Sequence, residues 1–297
     1  MSVMPSDKQQ APEAPMDPAP VLFDARREFA ESFLVGEGLE IGALHLPLPT
    51  PPHAHVSYVD RMPVEELRAE YPELGGWDLT RVDVIDNGEL LETVAAESQD
   101  FIVANHFLEH CEDPIHTIGT HLSKLKPNGI LFYAVPDKRY TFDFRRPLTP
   151  IKHMIEDHEL GPERSRREHY EEWARLVVDE ESPAVGSSAQ ANSPEWVATK
   201  AVELEAAQYS IHMHVWTQAE FLELILHTRE HYDEAFEIEA AARQGIEFVV
   251  ILRKVGPPRL PPAPDPESAE IPTGWRRILI GIGSRLQRAG AGHQSPQ

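Results

Sequence analysis

Two residues in the first quarter of the chain have the types and spacing of a nucleotide site. Gly42 follows the run Leu39-Glu40-Ile41, and Asp60 ends the run Val56-Ser57-Tyr58-Val59. A glycine at a strand-to-helix turn lets the backbone approach a nucleotide, and an acid about 20 residues further on can hold ribose hydroxyls. The plainer alternative is a simple turn at Gly42 and a helix cap at Asp60 ahead of Pro63. A second grouping, His212-Met213-His214-Val215-Trp216, sets two imidazoles at alternate positions. On a strand they point the same way, which suits either a metal pair or a polar pocket wall. No third ligand stands at a recognisable spacing, so no metal site is assigned.

These residues need a parallel sheet to position them, and the hydrophobic pattern predicts one. From Leu39 onward short apolar runs alternate with helical stretches, the signature of βα units. Strands are expected over 38–42, 55–59, a piece of 80–86, 100–104 and 129–135. Helices are expected over 23–34, 63–71, 89–96 and 114–125. Residues 137–210 break the rhythm: they are charged, rich in His, Arg and aromatic residues, and include a low-complexity piece at 182–194. They read as a mostly helical insertion. The rhythm returns with a helix over 217–228, a strand over 235–241, a tight turn at Gln244-Gly245 and a strand over 247–252.

With the later strands in place, the pattern resembles a known family. Gln99-Asp100-Phe101-Ile102-Val103-Ala104-Asn105-His106-Phe107-Leu108-Glu109-His110 looks like the fourth-strand motif of class I S-adenosylmethionine-dependent methyltransferases, and Leu125-Lys126-Pro127-Asn128-Gly129 resembles that family's turn into its fifth strand. The resemblance covers 36–136 and the terminal helix and hairpin. It implies an α/β, Rossmann-like class I methyltransferase fold: a mostly parallel seven-stranded sheet with an antiparallel terminal strand, here carrying a helical cap insertion. It implies S-adenosylmethionine as cofactor. Glu40 matches the acid that orients the glycine loop beside the cofactor's amino group, Gly42 the first loop glycine and Asp60 the ribose acid. Asp83 or Asp86 matches the third-strand acid that meets adenine, and Asn105 and His106 lie where the fourth strand ends beside the reactive methyl. His106 is the expected general base, the alternative being a buried structural histidine. His110 is expected to cap or brace the helix that follows.

The family's further loop glycines correspond here to Leu44 and Leu46, followed by Pro47-Leu48-Pro49-Thr50-Pro51-Pro52, so the loop is expected to take a different path. If those side chains occlude the cofactor, the chain would be a non-catalytic interaction module of the same fold. The dinucleotide fingerprint Gly-x-Gly-x-x-Gly is absent, which argues against a dinucleotide enzyme. The insertion reads as a cap over the site. Its His153, His158, His169, Tyr170 and Trp173, with Tyr140, His212 and His214 as candidate substrate contacts, would suit a saccharide or other small polyhydroxy acceptor methylated on oxygen. Arg139, Arg145, Arg146, Arg166 and Arg167 read individually as helix-surface charges.

Composition narrows the partners. The 297 residues hold 49 acidic against 27 basic side chains, a field that repels phosphate backbones, so no nucleic acid is expected. The single cysteine, Cys111, excludes an internal disulfide framework and fits a cytoplasmic location. Residues 1–20 read as a disordered tail, 21–255 as the catalytic domain and 256–272 as a proline-rich linker. Residues 273–290 read as a basic amphipathic helix with Trp275, Ile278, Leu279, Ile282 and Leu286 on one side. It is either an anchor at the inner face of a membrane or a helix packed on protein.

Overall fold

Strand β4 (Gln99–Asn105) buries Phe101 and Val103 on one side of the sheet and Ile102 and Ala104 on the other. A strand covered on both faces reads as a continuous apolar run, and that is why this segment lacks polar alternation. The computed structural model describes residues 19–178, 193–232 and 235–255. The expected tail, linker and terminal amphipathic helix lie outside the described residues, as does most of the low-complexity piece. No helix among the described residues is long and apolar enough to cross a membrane.

The other strands are β1 (Gly36–Ile41), β2 (Ala54–Asp60), β3 (Val84–Ile85), β5 (Leu125–Pro136), β6 (Phe236–Gln244) and β7 (Glu247–Lys254). They form one seven-stranded sheet in the order β3-β2-β1-β4-β5-β7-β6. The pairings from β3 to β5 are parallel, and β7 runs antiparallel to both neighbours. This is the expected sheet, with its antiparallel terminal strand. The turn at Asn128-Gly129 does not precede β5 but sits inside it. Gln99 pairs with Leu125 and Phe101 with Ile130, so 126–129 bulge out, with Asn128 at φ 67°. A side chain at Gly129 would stand 2.9 Å from the Lys126 carbonyl oxygen.

One face of the sheet is covered by α1 (Ala19–Phe33), whose Ala30 joins Phe101, Val103, Phe132 and Val249 in a core cluster. α2 (Val64–Glu70) follows β2 and buries Leu67. The opposite face packs against α3 (Pro114–Lys124), α4 (Ile151–Leu160) and α7 (Gln218–His231) through Ile118, Met154 and Leu224. Each such side chain, fully buried, contributes about 1.5–3 kcal/mol. α3 starts at Asp113, whose carboxylate accepts the His116 N–H at 2.8 Å, with Pro114 in the first helical position. α7 starts at a capping box between Thr217 and Glu220.

The helix expected over 89–96 does not form. Leu91 and Glu97 take φ 44° and 51°, and Asp86 accepts the Glu92 and Thr93 N–H groups at 3.2 and 2.8 Å. A carboxylate that captures backbone donors in this way competes with helical hydrogen bonds. The insertion is helical as expected, with α5 (Arg166–Leu176) and α6 (Pro194–Ala206) packing through Tyr170, Trp173, Ala201 and Leu204. Arg146 is not a surface charge. It is 2 % exposed and donates to Glu172 at 2.7 Å, to Asp143 at 3.0 Å and to the His212 and Met213 carbonyls at 2.8 and 3.2 Å. That network fastens the segment returning from the cap to its entry.

Candidate active site

The carboxyl ends of β1, β2 and β4 open into a cleft of about 660 Å³ roofed by the cap. Ligands of open α/β sheets bind at this edge, because the strand order reverses there and adjacent loops part. Gly42 leaves β1 at φ 66°, a conformation that glycine adopts without strain. A side chain added at Gly42 would meet only Phe107, at 3.9 Å, so the conformation and not the space calls for glycine. Asp60 ends β2 at the cleft wall, accepting the Arg61 N–H at 2.7 Å. Burial raises its pKa.

His106 lines the same cleft, at φ 49° and with its N–H bonded to the Ala134 carbonyl at 2.8 Å. Its Nε2 stands 2.7 Å from Glu247 Oε2. Glu247 starts β7, is fully buried, and also accepts from Arg26 of α1, whose Nε lies 2.7 Å from Oε1. Burial pushes the Glu247 pKa up, but the hydrogen bonds from His106 and Arg26 outweigh it and hold the group below the usual value. An ionised carboxylate can only accept, so Nε2 carries a proton toward Glu247.

Glu40 and Asn105 stand behind the cleft wall. Both Glu40 oxygens accept the Leu48 N–H, at 2.9 and 3.0 Å, which folds the proline run back over β1. Burial lifts the Glu40 pKa to about 7 against the opposing Leu48 hydrogen bond. The Asn105 side-chain nitrogen and oxygen are buried without a hydrogen-bond partner of normal geometry. Leu44 takes φ 45°, the left-handed region that a glycine favours, and its side chain lines the cleft. Leu46 closes a tight turn onto the Ala43 carbonyl at 2.9 Å.

Other expected contacts lie elsewhere. Asp83 precedes β3 and is held by the Tyr58 N–H and Arg81, each at 3.0 Å. Asp86 is committed to the turn that follows it, including Thr93 Oγ1 at 2.6 Å. Neither is on the cleft wall. Tyr140 is half exposed beneath Arg139 and Arg243. His212 bonds Asp143 at 2.7 Å inside the Arg146 network, and His214 is fully buried against His153 and His169. The two histidines therefore diverge, because 212–215 is not a strand. His110 braces the cap return, with Nδ1 2.8 Å from the Ile211 carbonyl, and not the helix after it.

The wall also holds residues that local pattern does not disclose. Asn87, Gly88 and Glu89 follow β3 into the cleft. Burial, then the charge of Glu112, lifts Glu89 to a pKa of about 7. Tyr170, Tyr209 and the Arg166–Glu112 ion pair, with Arg166 Nη2 2.7 Å from Oε2, come from the cap side. The only sequence signal for Glu247 is a charge opening a strand that then runs apolar from Phe248 to Leu252.

Residues 27–196 match the model of a family described as a methyltransferase domain. This chain belongs to that family. No curated protein matches the methyltransferase at the significance required. Among solved structures it is similar to a SAM-dependent methyltransferase from Aquifex aeolicus, with 12% identity over 80% of this chain and 94% of that one and a TM-score of 0.42. Another, from Methanosarcina mazei, is 18% identical over 75% and 95% of the two chains, with a TM-score of 0.41. By its family and its strand order the enzyme is a SAM-dependent methyltransferase of Rossmann-like fold. The residues present fit that cofactor in three respects: the open approach at Gly42, an acid at the tip of β2, and a cleft at the reversal of strand order.

Proposed function

We propose that the methyltransferase methylates a hydroxyl of a small polyhydroxylated acceptor of the saccharide type, with His106 as general base. The observation that carries this reading is the Glu247–His106 contact of 2.7 Å at the cleft wall. When bound, S-adenosylmethionine supplies an electrophilic methyl on a sulfonium, so the protein's tasks are alignment and removal of the acceptor proton. Gly42 and Asp60 are the residues that would hold the cofactor, with Glu40 fixing the loop from behind.

His106 Nδ1 would take the proton of the acceptor hydroxyl that the cofactor's methyl is transferred to. Glu247 then faces an imidazolium and stabilises it, while Arg26 keeps the carboxylate ionised. Tyr170, Tyr209 and the Arg166–Glu112 pair on the cap wall offer flat apolar faces beside donors and acceptors, a combination suited to a sugar ring.

The test uses the full-length enzyme against a panel of hydroxyl and amine acceptors, with S-adenosylhomocysteine binding measured in parallel. His106→Ala should keep that binding and lose turnover on hydroxyl acceptors. Turnover equal to wild type would remove His106 from the mechanism, and activity confined to amines would overturn the acceptor class.

A further inference from the structure

Away from the cleft, three imidazoles and a carboxylate converge between the cap and the sheet domain. His153 and Asp157 share one face of α4 at a spacing of four residues, His169 comes from α5, and His214 from the segment returning to α7. Each presents one ligand atom, and those atoms all lie within 4.8 Å of one another. His153 Nε2 is 3.0 Å from His169 Nε2 and 3.2 Å from Asp157 Oδ2, and Oδ2 is 3.9 Å from Nε2 of both His169 and His214.

We propose that His153, Asp157, His169 and His214 are the ligands of a structural transition-metal dication of the zinc type, which clamps the cap to the sheet domain.

Two observations favour an ion over a purely hydrogen-bonded cluster. Asp157 is 3 % exposed, and its Oδ2, facing three imidazoles, accepts no hydrogen bond of normal geometry. A buried carboxylate oxygen whose neighbours are imidazoles at 3.2–3.9 Å in poor hydrogen-bond geometry is costly, and a dication at the centre removes that cost. The donor set is also right: three imidazoles and one carboxylate make a neutral-nitrogen and hard-oxygen shell that zinc binds tetrahedrally. Ligand bonds of about 2.0–2.1 Å place tetrahedral neighbours about 3.3 Å apart, and four of the pairs, at 3.0–3.9 Å, bracket that spacing within a cluster whose atoms all lie within 4.8 Å.

The surroundings complete the picture. Asp157 Oδ1 accepts the Ser165 hydroxyl at 2.5 Å. Such outer contacts orient metal ligands. Four protein ligands leave no open position, which marks a structural ion and not a catalytic one. Its influence on the cleft is indirect. Tyr170 and Met213, the immediate neighbours of His169 and His214, both line the cleft wall.

The full-length protein is dialysed against zinc, freed of excess by gel filtration and assayed for bound metal, with cobalt as a spectroscopic substitute. The expected result is stoichiometric zinc, a tetrahedral cobalt spectrum displaced by zinc, and a thermal midpoint lowered by a strong chelator. His169→Ala and Asp157→Asn should each weaken binding by about a hundredfold or more, one ligand's share of a four-ligand site. The variant His227→Ala, His231→Ala removes the stacked pair on α7 and should retain the metal. Wild type that takes up neither zinc nor cobalt overturns the proposal. So does metal retained in His169→Ala but lost in His212→Ala, which would place the ion at Glu109, His110 and His212. If the ligand variants fail to fold, the wild-type cobalt spectrum decides: an octahedral spectrum overturns the assignment.

Discussion

His106 Nε2 lies 2.7 Å from Glu247 Oε2, a contact that ties the end of the fourth strand to the start of the last. Arg26 of α1 holds the same carboxylate. Replacing Glu247 by Gln keeps the shape, removes the charge and leaves Arg26 unbalanced. Disrupting a buried ion pair costs about 3–5 kcal/mol, so urea unfolding should show a loss near the lower end of that range. The folded pKa of Glu247 is lowered. Its contribution is therefore present above the ordinary glutamate range and disappears as pH falls through the lower folded value. The wild-type advantage over Glu247→Gln should shrink on acidification, and a pH-independent difference would contradict the ion pair.

Removal of the imidazole itself tests the chemistry. His106→Ala should reduce kcat by about a hundred- to ten-thousandfold, the usual contribution of a general base. KM for S-adenosylmethionine should stay unchanged, as measured by steady-state kinetics at saturating acceptor.

Asp60 supplies the acid at the tip of the second strand. Asp60→Ala should weaken S-adenosylhomocysteine by about ten- to a hundredfold, since a hydrogen bond to a charged group contributes about 1.5–3 kcal/mol. Calorimetry measures this directly. Unaltered affinity with an unaltered melting temperature would place the ribose elsewhere.

Glu40 makes stability depend on pH in the opposite sense to Glu247. Its folded pKa is raised to about 7, so its contribution is fully present below the unfolded value and is lost as pH rises through about 7. Glu40→Gln keeps an acceptor for the Leu48 N–H and does not ionise. Relative to that variant, wild type should lose stability between acid and neutral pH by up to about 3 kcal/mol. Parallel denaturant titrations at pH 5 and pH 8 compare the two.

Gly88 has no room for a side chain. A methyl group there would stand 2.5 Å from Ile41 Cγ2 and 2.6 Å from the Phe107 ring. Gly88→Ala should cost about 1–3 kcal/mol of stability by overpacking. It should also weaken cofactor binding, because the displaced Phe107 lines the cleft. Thermal melts and S-adenosylhomocysteine titration check the two effects separately.

Periodicity is a local property, and what depends on it was legible from the amino-acid sequence alone. The buried strands β1, β4, β5 and β7, the alternation of strand and helix, the turn glycine at Gly42 and the acid closing β2 all follow from runs of a few residues. Even there, local pattern failed where a side chain competed with it, as Asp86 does for the N–H groups that a helix over 89–96 would have used. Tertiary structure alone decided the partners. Nothing in the spacing of His106 and Glu247 joins them across 141 residues. Nothing in His212-x-His214 tells that one imidazole enters the Arg146 network while the other meets His153, Asp157 and His169. Such contacts depend on how α4 and α5 pack over the sheet, and packing is set by the summed burial of many side chains and not by any one short motif.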